Sequence, residues 1–251
     1  MSGELSVDVE HAQPVAVIRP HGVLDAYTAA DLRAALLECL AEQPSGVVVD
    51  GSDLEVADDV ALSVLSSVAQ ESQRWPGTRF AIAGAGERTV SAAERMGVAR
   101  YIKICPDRDT AVRELAQWPA PPMRRDRIAA DRDAPGHARA AVVEFCQQHG
   151  VGGDGDVAQL VASELVTNAV VHAGTPIDLT LRLLPPVLHI AVRDKAGGRP
   201  RITDVVDESA QSGRGLLLVD ALATQWGSFI PNVGKVVWAT VRIRPVAPAP
   251  F

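Results

Sequence analysis

Glu164, Asn168 and His172 recur every four residues in an otherwise apolar stretch, residues 157–174. A four-residue step places side chains along one stripe of a helix. Three polar groups on so apolar a helix face either solvent or a polar ligand, and the stripe alone leaves both open. Asp194 ends an apolar run and opens Asp194-Lys195-Ala196-Gly197-Gly198. Further on, Gly213-Arg214-Gly215-Leu216 leads into a second apolar run. Glycines ahead of a helix let backbone amides approach an anion, and the helix dipole favours negative charge there. A tight strand-to-helix turn would use the same glycines. In the N-terminal half, Asp58-Asp59 stand directly before Val60-Ala61-Leu62. That pair reads as a helix cap and a first-turn carboxylate.

The elements that carry these residues can be read from periodicity. In the first half, Val15-Ala16-Val17-Ile18 is the clearest piece of two short strands within residues 5–20. Thr28 is placed to cap a helix running to about residue 42. Gly46-Val47-Val48-Val49-Asp50 is a continuous apolar strand, the kind buried on both faces. A helix over about 58–74, a strand at Phe80-Ala81-Ile82-Ala83, and helices over about 87–97 and 107–117 follow. In the second half the pattern predicts a strand over 125–130 and helices over 134–149 and 157–173, the latter stopped by Gly174. Strands over 177–184 and 187–192 flank Pro185-Pro186, a helix starts near Gly213, and a last strand begins at Gly234. Strands alternating with helices imply an α/β class for both halves.

Charge divides the chain the same way. Residues 1–118 carry 10 basic and 18 acidic side chains, a net of −8; residues 119–251 carry 14 and 13, a net of +1. Trp118-Pro119-Ala120-Pro121-Pro122 lies between, and prolines so spaced cannot continue a helix. The expected layout is a domain over 1–118, a Pro-rich linker over 119–123 and a domain over 124–251. A net charge of −7 argues against a general nucleic-acid binder. No apolar run is long enough to span a bilayer. Three cysteines without CxxC spacing fit neither a disulfide framework nor a zinc site. With no secretory signal visible, the expectation is a cytoplasmic protein without a membrane partner. Arginine outnumbers lysine 21 to 3, as in GC-rich bacterial genomes.

The segment Val47-Val48-Val49-Asp50, followed by Asp58-Asp59-Val60-Ala61-Leu62, resembles the STAS domain of anti-sigma-factor antagonists. In that family the loop reads roughly Asp-Ser-Ser-Gly-Leu, and a partner kinase phosphorylates the second Ser. Here Asp58 and Leu62 match. Asp59, Val60 and Ala61 replace Ser, Ser and Gly, and Val60 has no hydroxyl to accept a phosphoryl group. Ser63, one turn on, is expected to turn its hydroxyl to its own helix.

Residues 124–244 resemble the nucleotide-binding fold shared by DNA gyrase, histidine kinases and the anti-sigma-factor serine kinases, an α/β sandwich whose mixed sheet is covered by helices on one face. Glu164 to Asn168 matches the N box, Asp194 to Gly198 the first glycine box and Gly213-Arg214-Gly215 the second. The resemblance implies ATP and Mg²⁺ as cofactors and assigns roles. Asn168 supplies a metal ligand and Glu164 is the general base. Asp194 accepts the adenine amino hydrogen, and Gly198, Gly213, Arg214, Gly215 and Leu216 lie against the nucleotide. Residues 199–212, with Arg199 and Arg201, would form a lid. Lys235 is a weaker phosphate contact. Val236 stands where many relatives carry a Thr near the adenine. His172 reads first as a packing or capping residue.

Together the two resemblances imply an ATP-dependent serine/threonine kinase of the anti-sigma-factor type with a fused STAS domain, regulating transcription by partner switching. The implied partners are a sigma factor or a separate STAS antagonist. Docking of the chain's own STAS unit and homodimerisation are also implied. A non-catalytic ATP-binding adaptor is the alternative. A sensor histidine kinase lacks support, since no dimerisation helices with an accessible His precede the second half.

Overall fold

The computed structural model describes residues 4–11, 14–74, 78–152, 155–195 and 213–245. The chain divides into two units, Met1–Ala120 and Pro121–Phe251.

In the first unit, β1 (Leu5–Glu10) and β2 (Val15–Leu24) pair antiparallel. After α1 (Ala29–Ala41) come β3 (Gly46–Asp50) and β4 (Leu54–Val56), both parallel to β2. A short 3₁₀ turn (Asp59–Leu62) leads into α2 (Ser63–Arg74). Then follow β5 (Arg79–Ala83), α3 (Glu87–Arg95), β6 (Lys103–Cys105) and α4 (Arg108–Ala116), with strand order β1-β2-β3-β5-β6. All five residues of β3 are buried, as its unbroken apolar run requires of a central parallel strand. Burying each of its valines contributes about 1.5–3 kcal/mol. Strands β4 and β6 have three residues each and leave no readable period in the sequence. Thr28 departs from its expected part. It precedes α1 but makes no side-chain cap. Its hydroxyl instead donates to the Val23 carbonyl at 2.8 Å and accepts from the Asp25 amide at 2.9 Å, which closes the β2–α1 turn.

In the second unit, β7 (Met123–Ile128) precedes α5 (Ala134–Gln148), a short β8 (Val151–Gly152) and α6 (Gly155–Ala173). The hairpin β9 (Ile177–Leu184) and β10 (Val187–Asp194) turns on Pro185-Pro186. After α7 (Gly213–Leu222) come β11 (Gln225–Phe229), β12 (Lys235–Arg242) and β13 (Arg244–Pro245). The main sheet has the order β11-β12-β10-β9-β7. The expected α/β sandwich is present, but every described ladder of this sheet is antiparallel rather than mixed. A two-residue connection such as β9–β10 allows no other pairing. Because β7 begins at Met123, the last residue of the expected linker is already strand.

Alternation along the strands separates two faces. Ile177, Leu179, Leu181, Leu188, Ile190, Val192, Val237, Ala239 and Val241 form one core with Ala138, Val142 and Phe145 of α5 and Val161, Leu165 and Val166 of α6. The intervening residues include Thr180, Arg182, His189, Arg193, Trp238 and Thr240, all buried. Burial, then the Arg182 charge, holds the His189 imidazole well below its usual range, so it stays neutral.

Candidate functional site

Helix α6 supplies the first two groups. It packs against β10, β12 and α7, and Gly174 ends it in the left-handed conformation at φ +61°. The hydroxyls of Ser163 and Thr167 turn back to carbonyls of their own helix, at 2.9 and 2.7 Å. Glu164 and Asn168 are half-buried, one turn and about 6 Å of helix rise apart. His172 is exposed at the last turn, so it does not pack as expected. The polar stripe therefore runs from a sheltered end at Glu164 to a solvated end at His172.

Glycine at the start of α7 receives Glu164. A Cβ added to Gly215 would lie 2.5 Å from the Glu164 carboxylate oxygen, closer than side chains tolerate. The carboxylate thus occupies the space that any other residue at position 215 would take. Leu216 is half-buried against the core, and the far end of α7 is tied down where the Trp226 indole N–H donates to Asp220 at 2.7 Å. Gly213 is the first residue of α7, so its amide belongs to the open N-terminal turn. The side chain of Arg214, and Gly198 with the expected lid over 199–212, lie outside the described residues.

Asp194 is the last residue of β10 and is 6% exposed. It pairs in register with Lys235, two positions past the Val192–Val237 pair that faces the helices, with Arg193–Val236 between them. Alternation puts Asp194 on the helix-facing side with Val192. Gly234 makes this possible. Its φ is +80°, and an added Cβ would fall 1.8 Å from the Asp194 carbonyl oxygen, so only glycine lets the two backbones meet. The sequence reading took Gly234 as a mere strand start. The same alternation corrects Val236: it pairs with Arg193 on the opposite face and is not beside the Asp194 side. Lys235 is half-buried on the Asp194 side.

A buried carboxylate at a strand end, a carboxamide and carboxylate one helical turn apart, and an open helix N-terminus make a set that fits a nucleoside triphosphate. The carboxylate suits the base edge and the helix start suits phosphate. For Mg²⁺ the donors are also suitable: Asn168 offers a hard oxygen, and a cation of this kind takes most of its remaining ligands from water and phosphate. Among the described residues, no cluster of three His, Cys, Asp or Glu side chains could hold a metal by itself.

The corresponding segment of the first unit has the frame without the chemistry. Asp58 accepts the Val60 amide at 2.9 Å, so its capping role holds. Asp59 pairs with Arg95 of α3 at 2.6 Å. Val60 is 62% exposed on this turn. Ser63 also departs from expectation: it is exposed at the first residue of α2, and among the described residues its hydroxyl makes no hydrogen bond. Sequence reading also missed a polar cluster at the end of β3, where the buried Asp50 accepts from the exposed Ser52 hydroxyl at 2.5 Å and meets the Arg19 guanidinium at 3.3 Å. The three cysteines are buried and free; burial, with Glu42 and Glu38, pushes the Cys39 thiol up to about 12, which leaves it unreactive.

Residues 6–111 match the family model of the STAS domain, and residues 128–241 match that of the histidine kinase-like ATPase domain. The chain joins a STAS domain to a histidine kinase-like ATPase domain. Similar solved structures include an anti-sigma factor antagonist from Mycobacterium paratuberculosis (23% identity, 45% of this chain and 95% of that one, TM-score 0.41). Another is the anti-sigma factor antagonist SpoIIAA in its unphosphorylated form (13% identity, 45% and 99%, TM-score 0.39). A third is the histidine kinase domain of a blue-light activated histidine kinase from Erythrobacter litoralis (15% identity, 71% and 95%, TM-score 0.31). Comparison with curated proteins returns no match. The ATPase domain implies ATP binding. Among the described residues, no helix is long and apolar enough to cross a membrane.

Proposed function

We propose that the ATPase domain is a Mg²⁺-dependent serine/threonine kinase of the anti-sigma-factor type, working in a partner switch that controls transcription. The observation that carries this reading is the placement of Glu164, half-buried on α6 with its carboxylate against the first turn of α7. A base there takes the proton of a substrate serine as its oxygen bonds to the γ-phosphorus and the bond to ADP breaks. Asp194 accepts from the adenine amino group. Guanine presents a carbonyl at that position, and two facing acceptors are costly when buried. Asn168 holds the metal, whose charge offsets that of the phosphates. The substrate is a serine on a separate STAS protein, and a sigma factor is the other partner.

A second reading is an ATP-binding adaptor that acts by docking alone. Val60 favours it: without a hydroxyl at position 60, phosphorylation cannot release this STAS domain from an ATPase domain that it engages. Calorimetric titration of the full chain with Mg-ATP and Mg-GTP tests the site common to both readings. Preference for ATP supports it, and equal affinities refute it. Transfer of label from ATP to separate STAS proteins then distinguishes kinase from adaptor.

A further inference from the structure

The Asp194 carboxylate, set against adenine under the proposed function, stands at the very end of β10. Its partner across the sheet, Lys235, opens β12. The loop before Lys235, residues 230–234, belongs to no strand. Ile230 and Val233 in that loop are 46% and 50% exposed, so packing holds it weakly. Yet the loop has to stay closed on β10, because Gly234 lies where an added Cβ would meet the Asp194 carbonyl oxygen.

Arg193 supplies a hold. It immediately precedes Asp194 and is 6% exposed. It pairs with Val236, on the face of the sheet away from the helices. Its Nη2 donates to the Val233 carbonyl at 3.2 Å. Among the described residues, no other side chain bonds to residues 230–234. A charged donor makes a stronger hydrogen bond than a neutral one, and the planar guanidinium fixes its direction. The bond closes a small circuit: Arg193 holds Val233, Val233 leads into Gly234, and Gly234 lies against the backbone of Asp194. Just past Asp194, the Thr175 hydroxyl accepts from the Lys195 amide at 3.4 Å, a longer contact. Because Arg193 and Asp194 lie on opposite faces of the sheet, Arg193 acts on the nucleotide only through the backbone.

We propose that Arg193 is a positioning residue for base recognition: through Val233 and Gly234 it fixes the end of β10, and with it the direction of the Asp194 carboxylate. The inference rests on the reading of Asp194 as the acceptor from the adenine amino group. A carboxylate that is free to turn no longer separates an amino group from a carbonyl. The phosphates, bound through Asn168 and its metal and through the start of α7, do not sense that loss.

The test is calorimetry of the full chain with Mg-ATP, Mg-GTP and Mg-tripolyphosphate. The wild type is expected to prefer ATP; equal affinities would refute the reading of Asp194 and this inference with it. Arg193→Met keeps the length of the side chain without its donors. It is expected to lower the ATP-to-GTP affinity ratio by about tenfold, with a much smaller change for tripolyphosphate. Arg193→Lys keeps a charged donor but not the planar fork, and is expected to lower the ratio by about threefold. A loss of charge or a looser fold would weaken all three ligands alike and leave the ratio where it was. If the wild type prefers ATP and Arg193→Met keeps that preference, the reading of Asp194 stands and this inference falls. It falls equally if the three ligands weaken together. Should Arg193→Met not fold, Arg193→Lys decides alone, and a wild-type ratio in that variant overturns the proposal.

Discussion

The turn at residues 58–63 and the corner between α6 and α7 are both helix N-termini beside a parallel or antiparallel sheet, and they have kept different things. At residues 58–63 the backbone frame survives. Asp58 still caps the turn, Asp59 is held by Arg95 and position 60 is presented to solvent. Position 60 carries a valine, which has no hydroxyl to accept a phosphoryl group. At the α6–α7 corner the side chains with chemistry remain, and glycines keep room for them: Gly215 for the Glu164 carboxylate, Gly234 for the Asp194 backbone. A turn can thus keep its cap and its exposed position while carrying no hydroxyl there. A reactive corner needs several residues and the empty space around them.

The largest expected effect lies at the corner that kept its chemistry. Glu164→Ala should lower phosphoryl transfer by about 10²–10⁴-fold and leave ATP affinity nearly unchanged, since the base and metal contacts come from other residues. Transfer within about threefold of wild type would show that Glu164 is not the base. Gly215→Ala should cost about 10²-fold in transfer, because its methyl group displaces the carboxylate by about 1 Å. Rates like those of the wild type would mean that Glu164 is not needed where it stands. Asp194→Asn should erase most of the ATP preference, a change of about tenfold in the affinity ratio, because a carboxamide can donate to the guanine carbonyl. Calorimetry with both nucleotides reads this directly. The smallest effect belongs to the turn that kept only its frame. Asp58→Ala should cost about 1 kcal/mol of stability in denaturant titration, the usual worth of a cap, with no effect on transfer.

How much of this was legible in the sequence depended on whether a residue acts through its type or through its surroundings. Glu164, Asn168 and Asp194 stood out because polar groups on apolar elements break a period. The Val47–Val49 strand stood out because nothing breaks it. Gly234 did not stand out, since only its closeness to Asp194 makes it necessary. Val236 was misplaced because strand parity depends on the register with β10, which no local pattern fixes. Thr28 and Ser63 were misread because a hydroxyl's partner is a tertiary fact.

The central claim is that one domain transfers phosphate while the other cannot receive it at position 60. Site-mapped mass spectrometry tests this most directly, after the full chain has been incubated with Mg-ATP and a separate STAS protein whose loop carries the acceptor serine. The account predicts phosphate on that serine and none on residues 58–63 of this chain. Phosphate on Ser63, or none on the separate protein while ATP is bound, would contradict it.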